Sequence, residues 1–251
     1  MKCKFYVLIM TILLISCEAK SQNRIQINIP TVDDETDYIW RTIQDIDFFE
    51  QNGYQVSLPK GTYIELLKNK AKAKSLSDYD YETLKTFIKD SVYKKSDYKQ
   101  GYHKIEKQRP LINEMVSIIH KSERNWDFKV FDIYQINLTL YGPGGSYNPD
   151  EGSILIYTTQ NGQFKNYDNP ANTIIHEITH IGIEESIIAK YNVPHSIKER
   201  IVDTFILLNF KAYLPNYRVQ DMGEYITDNY LKTKADLKNL DNIVKHIMKS
   251  E

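Results

Sequence analysis

The chain has 251 residues, of which 41% are hydrophobic and 26% are charged. This length and composition suffice for one substantial globular core, which can be divided into two lobes around a cleft. The formal net charge of −1 argues against nucleic acid as a partner, because proteins that bind it carry an excess of Lys and Arg.

The N-terminus has the pattern of an export signal. Lys2 and Lys4 precede an apolar run at 5–15, which is too short for a stable membrane anchor but typical of the core of a secretory signal. Leu14-Ile15-Ser16-Cys17 follows and resembles the lipobox of bacterial lipoproteins. We therefore expect a signal peptide at 1–16 and a lipid anchor on Cys17.

Export is expected in either of two forms. Lipidation of Cys17 would attach the mature chain, 17–251, to a membrane of the cell envelope. Cleavage after Ala19-Lys20-Ser21 is the alternative, which satisfies the small-x-small rule and would release a secreted or periplasmic protein. Cys3 and Cys17 are the two cysteines of the sequence, so the mature chain cannot form an internal disulfide.

The next part of the chain predicts one short strand, then a series of helices, then two further strands. Polar and apolar residues alternate at 24–30, which predicts a strand. The pattern then predicts helices at 33–50, 62–73, 77–93 and 96–122, the last broken near Pro110. β-branched and aromatic residues predict strands at 128–140 and 153–159. The turn-forming segment 142–152 between them predicts a hairpin or wide connection, with substrate contact as the less favoured alternative.

Helices are predicted again for the remainder of the chain. Asn169 is a suitable N-cap and Pro170 a suitable first residue for a helix that runs toward Lys190. Further helical patterns lie at 196–214, 223–230 and 234–249. The fold class predicted is α+β, mostly helical, with a small β-sheet beside the helix that begins at Pro170. We expect one domain at 17–251, with lobes at about 22–168 and 169–251, the second of them helical.

The segment Thr173-Ile174-Ile175-His176-Glu177-Ile178-Thr179-His180-Ile181 contains a His-Glu-x-x-His motif. His176 and His180 are four residues apart, so they lie one turn apart on the same face of a helix and can hold one metal ion. Glu177 lies beside them and can act as a general base. The motif therefore predicts Zn2+ as cofactor, with His176 and His180 as ligands.

A catalytic zinc site also needs a third protein ligand. Glu184 lies on the motif helix, as does Glu185, but eight residues at 1.5 Å each place Glu184 about 12 Å along the axis from His176. Glu199, on the next predicted helix, is therefore favoured as the third ligand. Asp203 is one turn further along that helix, where we expect it to accept a hydrogen bond from a ligand imidazole.

This layout resembles the gluzincin clan of zinc metallopeptidases, of which thermolysin is a familiar member. The resemblance covers 176–203 and implies that a zinc-activated water hydrolyses a peptide bond of a peptide or protein substrate, with Glu177 as general base. It also implies that Tyr191, between the two helices, is a catalytic residue that stabilises the oxyanion. The predicted strand 153–159 would be the edge strand along which an extended peptide lies.

The resemblance leaves other assignments open. The downstream catalytic His of the clan has no clear counterpart, and His195 and His246 are the two candidates. The function predicted is that of a zinc-dependent peptidase. The alternatives are a non-catalytic zinc-containing binding or structural lipoprotein, and a zinc hydrolase of a non-peptide substrate such as a cell-wall amide.

Overall fold

The computed structural model describes residues 22–165, 168–219 and 225–250. The predicted signal peptide at 1–16 and the predicted lipidation site Cys17 lie outside these ranges, as does the start of the predicted helix 223–230. Among the helices of the described ranges, none is long and apolar enough to cross a bilayer.

The described chain folds into an α+β structure that is mostly helical, as predicted. Its β-strands are β1 Ile25–Asn28, β2 Tyr134–Thr139, β3 Gly145–Asn148 and β4 Ser153–Tyr157. Its α-helices are α1 Val32–Gln44, α2 Ile46–Gln51, α3 Thr62–Lys72, α4 Asp78–Phe87, α5 Lys99–Lys121, α6 Pro170–Ile183, α7 His195–Phe210, α8 Lys234–Lys238 and α9 Leu240–Ser250. Short 3-10 or π segments lie at Ile88–Val92, Lys95–Tyr98, Glu184–Ala189 and Tyr225–Asn229.

Side-chain caps fix where several helices begin. The predicted cap of α6 is confirmed: the Asn169 side chain accepts a hydrogen bond from the Ala171 N–H, and Pro170 is the first helical residue. At the start of α1, Thr31 and Asp34 form a reciprocal capping box. A side-chain cap is worth about 1 kcal/mol, and the Asn169 cap fixes the first turn of α6, the helix that carries the His-Glu-x-x-His motif.

The predicted break of α5 at Pro110 is wrong, because the helix continues through that residue. A proline inside a helix costs about 3 kcal/mol, since it lacks an N–H and its ring crowds the preceding turn. Each large apolar side chain that α5 buries contributes about 1.5–3 kcal/mol. This burial outweighs the cost of Pro110, and the residues concerned are Ile105, Ile112, Met115, Val116 and Ile119.

The four strands form one mixed sheet in the order β1-β2-β4-β3. β1, β2 and β4 are parallel, whereas β3 pairs antiparallel with β4, with Gly145 opposite Ile156. The expectation that 153–159 forms the edge strand is therefore wrong, since β4 lies inside the sheet. The edge is β3, which comes from the segment predicted as a connection, and positive φ angles at Gly142 and Gly144 turn the chain into it.

Two hydrophobic cores support this arrangement. The main core lies between the sheet and the long helices, where α5 packs against α6 and β1 and α6 packs against α7, β3 and β4. A smaller core holds α1, α3 and α4 together through Ile39, Ile43, Ile64, Leu67, Leu84 and Ile88. The motif helix, α6, is thus buried on most sides.

Glu35 is a fully buried carboxyl group on α1 that links the smaller core to the main core. Its Oε1 accepts hydrogen bonds from the Tyr98 hydroxyl (2.7 Å) and the Leu140 N–H (3.0 Å). Its Oε2 has no hydrogen-bond partner in the described part of the chain. Burial raises the pKa of Glu35 above its ordinary value of 4.5, although both hydrogen bonds act in the opposite direction.

We predict that Glu35→Gln changes how stability depends on pH. A carboxyl whose folded-state pKa is raised contributes stability below its unfolded pKa and loses it as pH rises through the folded pKa. The metal-free wild type should therefore lose free energy of unfolding relative to Glu35→Gln above about pH 4.5, at up to about 1.4 kcal/mol per pH unit. Urea unfolding of both proteins between pH 4 and 7 measures this, and a pH-independent difference would contradict it.

Candidate metal centre

The histidines of the motif lie on α6, which is buried along almost its whole length. His176 is 7% exposed and His180 is 2% exposed, and their rings are 4.6 Å apart between centroids. The helix therefore places two imidazoles side by side in a nearly solvent-free position, as the spacing of four residues predicts.

Glu199 on α7 completes a cluster with these histidines. The two Nε2 atoms are 3.0 Å apart, and Glu199 Oε2 lies 3.2 Å from His176 Nε2 and 3.3 Å from His180 Nε2. Each residue thus offers one ligand atom, and these atoms lie within 4.8 Å of one another. His176, His180 and Glu199 form a buried cluster that could hold a metal ion.

Glu184 does not join this cluster. Its carboxylate instead accepts a 2.6 Å hydrogen bond from the hydroxyl of Tyr147 on β3. The Tyr147 ring is stacked on His180, with centroids 4.9 Å apart and planes 3° from parallel. Burial, and then the hydrogen bond to Glu184, raise the pKa of Tyr147 well above its usual range, so the hydroxyl stays protonated and donates.

Asp203 acts on His176 through an intervening hydroxyl. Its carboxylate is fully buried and accepts a 2.5 Å hydrogen bond from the hydroxyl of Tyr217. The hydroxyl oxygen of Tyr217 also lies 2.7 Å from His176 Nδ1. Burial and the neighbouring Asp203 raise the pKa of Tyr217 far above its usual range. Because the phenol proton goes to Asp203, His176 Nδ1–H donates to the Tyr217 oxygen, which directs the Nε2 lone pair at the cluster.

We expected a direct hydrogen bond between Asp203 and a ligand imidazole, but the hydroxyl of Tyr217 bridges the two groups instead. His176 Nδ1 and Asp203 Oδ1 are 3.6 Å apart, which is too long for a hydrogen bond. His180 has no comparable support, since its Nδ1 is buried without a hydrogen-bond partner in the part of the chain that the structure describes. Tyr217 is the residue that fixes the ring orientation of His176.

The charges in the cluster suit a cation. Burial lowers the pKa of His180 to about 4, so this ring is neutral at pH 7. Burial alone would raise the pKa of Glu199, but its contacts with His176 and His180 hold it well below its usual range. Burial likewise opposes protonation of His176, yet Glu199 and the nearby carboxylates raise its pKa. A metal cation would displace the proton that this raised pKa keeps on His176. The affinity of the cluster for the cation should therefore rise with pH.

Glu177 lies beside the cluster, 7% exposed. Burial raises its pKa to about 7, and a cation in the cluster would lower it again, because a nearby positive charge favours the carboxylate. The edge strand β3 lies directly on this side chain: a Cβ at Gly145 would be only 2.4 Å from Glu177 Oε1. A side chain at Gly145 would therefore displace the Glu177 carboxylate from its present position.

An open cleft of about 910 Å³ gives access to the cluster. Its lining residues come from α1, α2 and the chain after them, from β3, β4, α6 and α7, and from residues 164–165 and 217–219. His195 lines this cleft, with Nδ1 3.6 Å from Glu199 Oε1. The other downstream candidate, His246, packs edge-on against Tyr230 and does not line the cleft.

The structure does not bring Tyr191 to this site. Its hydroxyl donates a 2.9 Å hydrogen bond to Asp241 on α9, and Tyr191 is not among the residues that line the cleft. The catalytic role implied for Tyr191 is therefore corrected: the turn between α6 and α7 directs this side chain toward the C-terminal helix. Tyr147 and Tyr217 are the tyrosines beside the cluster, and the spacing of the motif gives no signal for either.

We predict that Tyr217→Phe lowers metal affinity by about 10- to 100-fold, the usual effect of losing a partner that orients a ligand. Tyr213→Phe is the matched control, because its hydroxyl also donates to a carboxylate, Glu114, but on the surface. Competition with a chromophoric chelator measures both affinities for zinc. Equal affinity in the two variants would contradict the role of Tyr217.

Comparisons of the chain with known proteins found no relative. Neither a family model, nor a curated protein, nor a solved structure matches it.

Proposed function

We propose that the protein is a zinc-dependent hydrolase, most simply a peptidase that cleaves peptide bonds. The observation that supports this most strongly is the buried His176, His180 and Glu199 cluster with Glu177 beside it, open to a cleft. Two imidazoles and one carboxylate are the ligand set of many catalytic zinc sites. Two donors at about 2.0 Å from one tetrahedral ion lie about 3.3 Å apart, close to the 3.0–3.3 Å between these ligand atoms.

The chemistry divides between the ion and the chain. Zinc held by the cluster would lower the pKa of a water molecule and polarise the scissile carbonyl. Glu177 takes the proton from the water as its oxygen bonds to the carbonyl carbon, and then gives that proton to the leaving nitrogen as the C–N bond breaks. His195 lines the cleft beside Glu199, and its ring N–H is the donor that we assign to the developing oxyanion.

The edge strand β3 offers a track for the substrate. It pairs with β4 on one side and is the last strand of the sheet, so its outer edge presents backbone N–H and C=O groups to an extended peptide. Gly145, at its start, lies on Glu177. A peptide added along β3 would therefore pass directly over the general base. The predicted export signal supports an extracytoplasmic location for the proposed peptidase, either attached to the cell envelope through Cys17 or secreted.

One observation favours the alternative, a zinc-containing binding protein without turnover. Tyr191, which the resemblance implied as oxyanion stabiliser, lies outside the cleft and is bonded to Asp241. The two proposals differ in one respect: both retain zinc, but only the peptidase cleaves a peptide.

We predict that Glu177→Gln keeps stoichiometric zinc and loses at least about 100-fold in kcat/KM, since removal of a general base costs about 10²–10⁴-fold. Glu185→Gln is the control, because Glu185 lies on the same helical segment with its side chain 80% exposed. Zinc content by elemental analysis and cleavage of an unbiased peptide library are the two measurements. Full activity in Glu177→Gln would contradict its role, and no cleavage by the zinc-loaded wild type would favour the binding protein.

A further inference from the structure

The cleft wall carries an excess of positive charge beyond the metal cluster. Its basic side chains are Arg41, Lys165, Lys198 and Arg218, whereas its acidic residues are Asp45 and the two carboxylates of the site, Glu177 and Glu199. A divalent cation would be balanced by Glu177 and Glu199. Among the described lining residues, Asp45 is then the remaining acidic side chain near Arg41, Lys165 and Lys198.

Three of these cations contact neutral acceptors. Arg41 Nη2 donates to Ser146 Oγ (3.1 Å), Lys198 Nζ donates to the Tyr147 hydroxyl (3.1 Å), and Lys165 Nζ donates to the carbonyls of Gln55 and Pro143. None of the three forms an ion pair with a carboxylate of the described residues. Lys198 is also half-buried. Lys165 is half-buried as well, whereas Arg41 is exposed. Partly desolvated cations such as Lys198 and Lys165 bind an anion more strongly than exposed ones do.

The edge strand places Arg41 and Lys198 on its opposite faces. Ser146 and Tyr147 are consecutive residues of β3, so their side chains point to opposite sides of the sheet. The Tyr147 side faces α6, because its ring is stacked on His180. A peptide paired with β3 presents its own side chains alternately to the same two faces. A residue on the α6 side would meet Lys198 next to the general base.

We propose that the cleft selects substrates that carry a carboxylate beside the scissile bond, with Lys198 as its main contact and Arg41 and Lys165 adding to the positive field. This inference rests on the proposed function and names the class of its substrate. The carboxylate comes either from an acidic side chain or from the C-terminus of the peptide. The first source makes the protein an endopeptidase selective for acidic segments, and the second makes it a carboxypeptidase.

Matched peptides distinguish these two sources. One pair differs by Glu against Gln within the peptide and a second pair by a free C-terminal carboxylate against an amide. Binding to zinc-loaded Glu177→Gln is measured by calorimetry, which does not depend on turnover, and cleavage is measured with the wild type. We expect the carboxylate form of at least one pair to bind about tenfold more tightly and to be cleaved faster.

Variants at Lys198 test its part in this preference, with zinc content measured for each. Adding Lys198→Gln to the Glu177→Gln protein should abolish the preference, Lys198→Arg should keep it, and Lys89→Gln, an exposed residue outside the cleft, should leave it unchanged.

The outcomes separate the inference from the proposed function. Equal binding of both members of each pair would overturn the inference, whether or not the peptides are cleaved. A preference that survives in Lys198→Gln would overturn the assignment of Lys198. Selective binding of a carboxylate peptide without cleavage by the wild type would support the inference and overturn the peptidase.

Discussion

The structure depends on the burial of three carboxylates and two imidazoles between α6 and α7. Glu177, Glu199 and Asp203 are each at most 7% exposed, and burying an unpaired charge costs several kcal/mol. Hydrogen bonds offset part of this cost at Asp203 and Glu199, but within the described residues Glu177 has no comparable partner, and burial raises its pKa to about 7. A cation in the cluster would compensate the remaining negative charge, so the arrangement suits metal binding better than packing.

The rest of the fold positions that cluster. The Asn169 cap and the surrounding core hold α6, and the turn after it returns the chain so that α7 presents Glu199 to both histidines. β3 then brings backbone up to Glu177 at Gly145 and stacks Tyr147 on His180. The reactive groups are therefore set by rigid elements, which is what catalysis requires of a site.

Local signals in the sequence were sufficient for the centre of the site. Three of these predictions depend only on the fixed geometry of one helix. They are the shared face of His176 and His180, the distance that excludes Glu184 as a ligand, and the cap at Asn169. Tyr217 and Tyr147 were not predictable, because they meet the cluster through contacts 41 and 33 residues away in sequence. Pro110 and β3 were mispredicted for the related reason that tertiary burial and strand pairing outweigh local propensity.

The most direct test is a crystal structure of the protein grown with zinc, with anomalous diffraction recorded on both sides of the zinc absorption edge. The account predicts one strong peak that appears only above the edge, about 2.0–2.2 Å from His176 Nε2, His180 Nε2 and a carboxylate oxygen of Glu199. Zinc bound to other residues would contradict the account. So would a structure at saturating zinc in which His176, His180 and Glu199 contact one another and hold no metal ion.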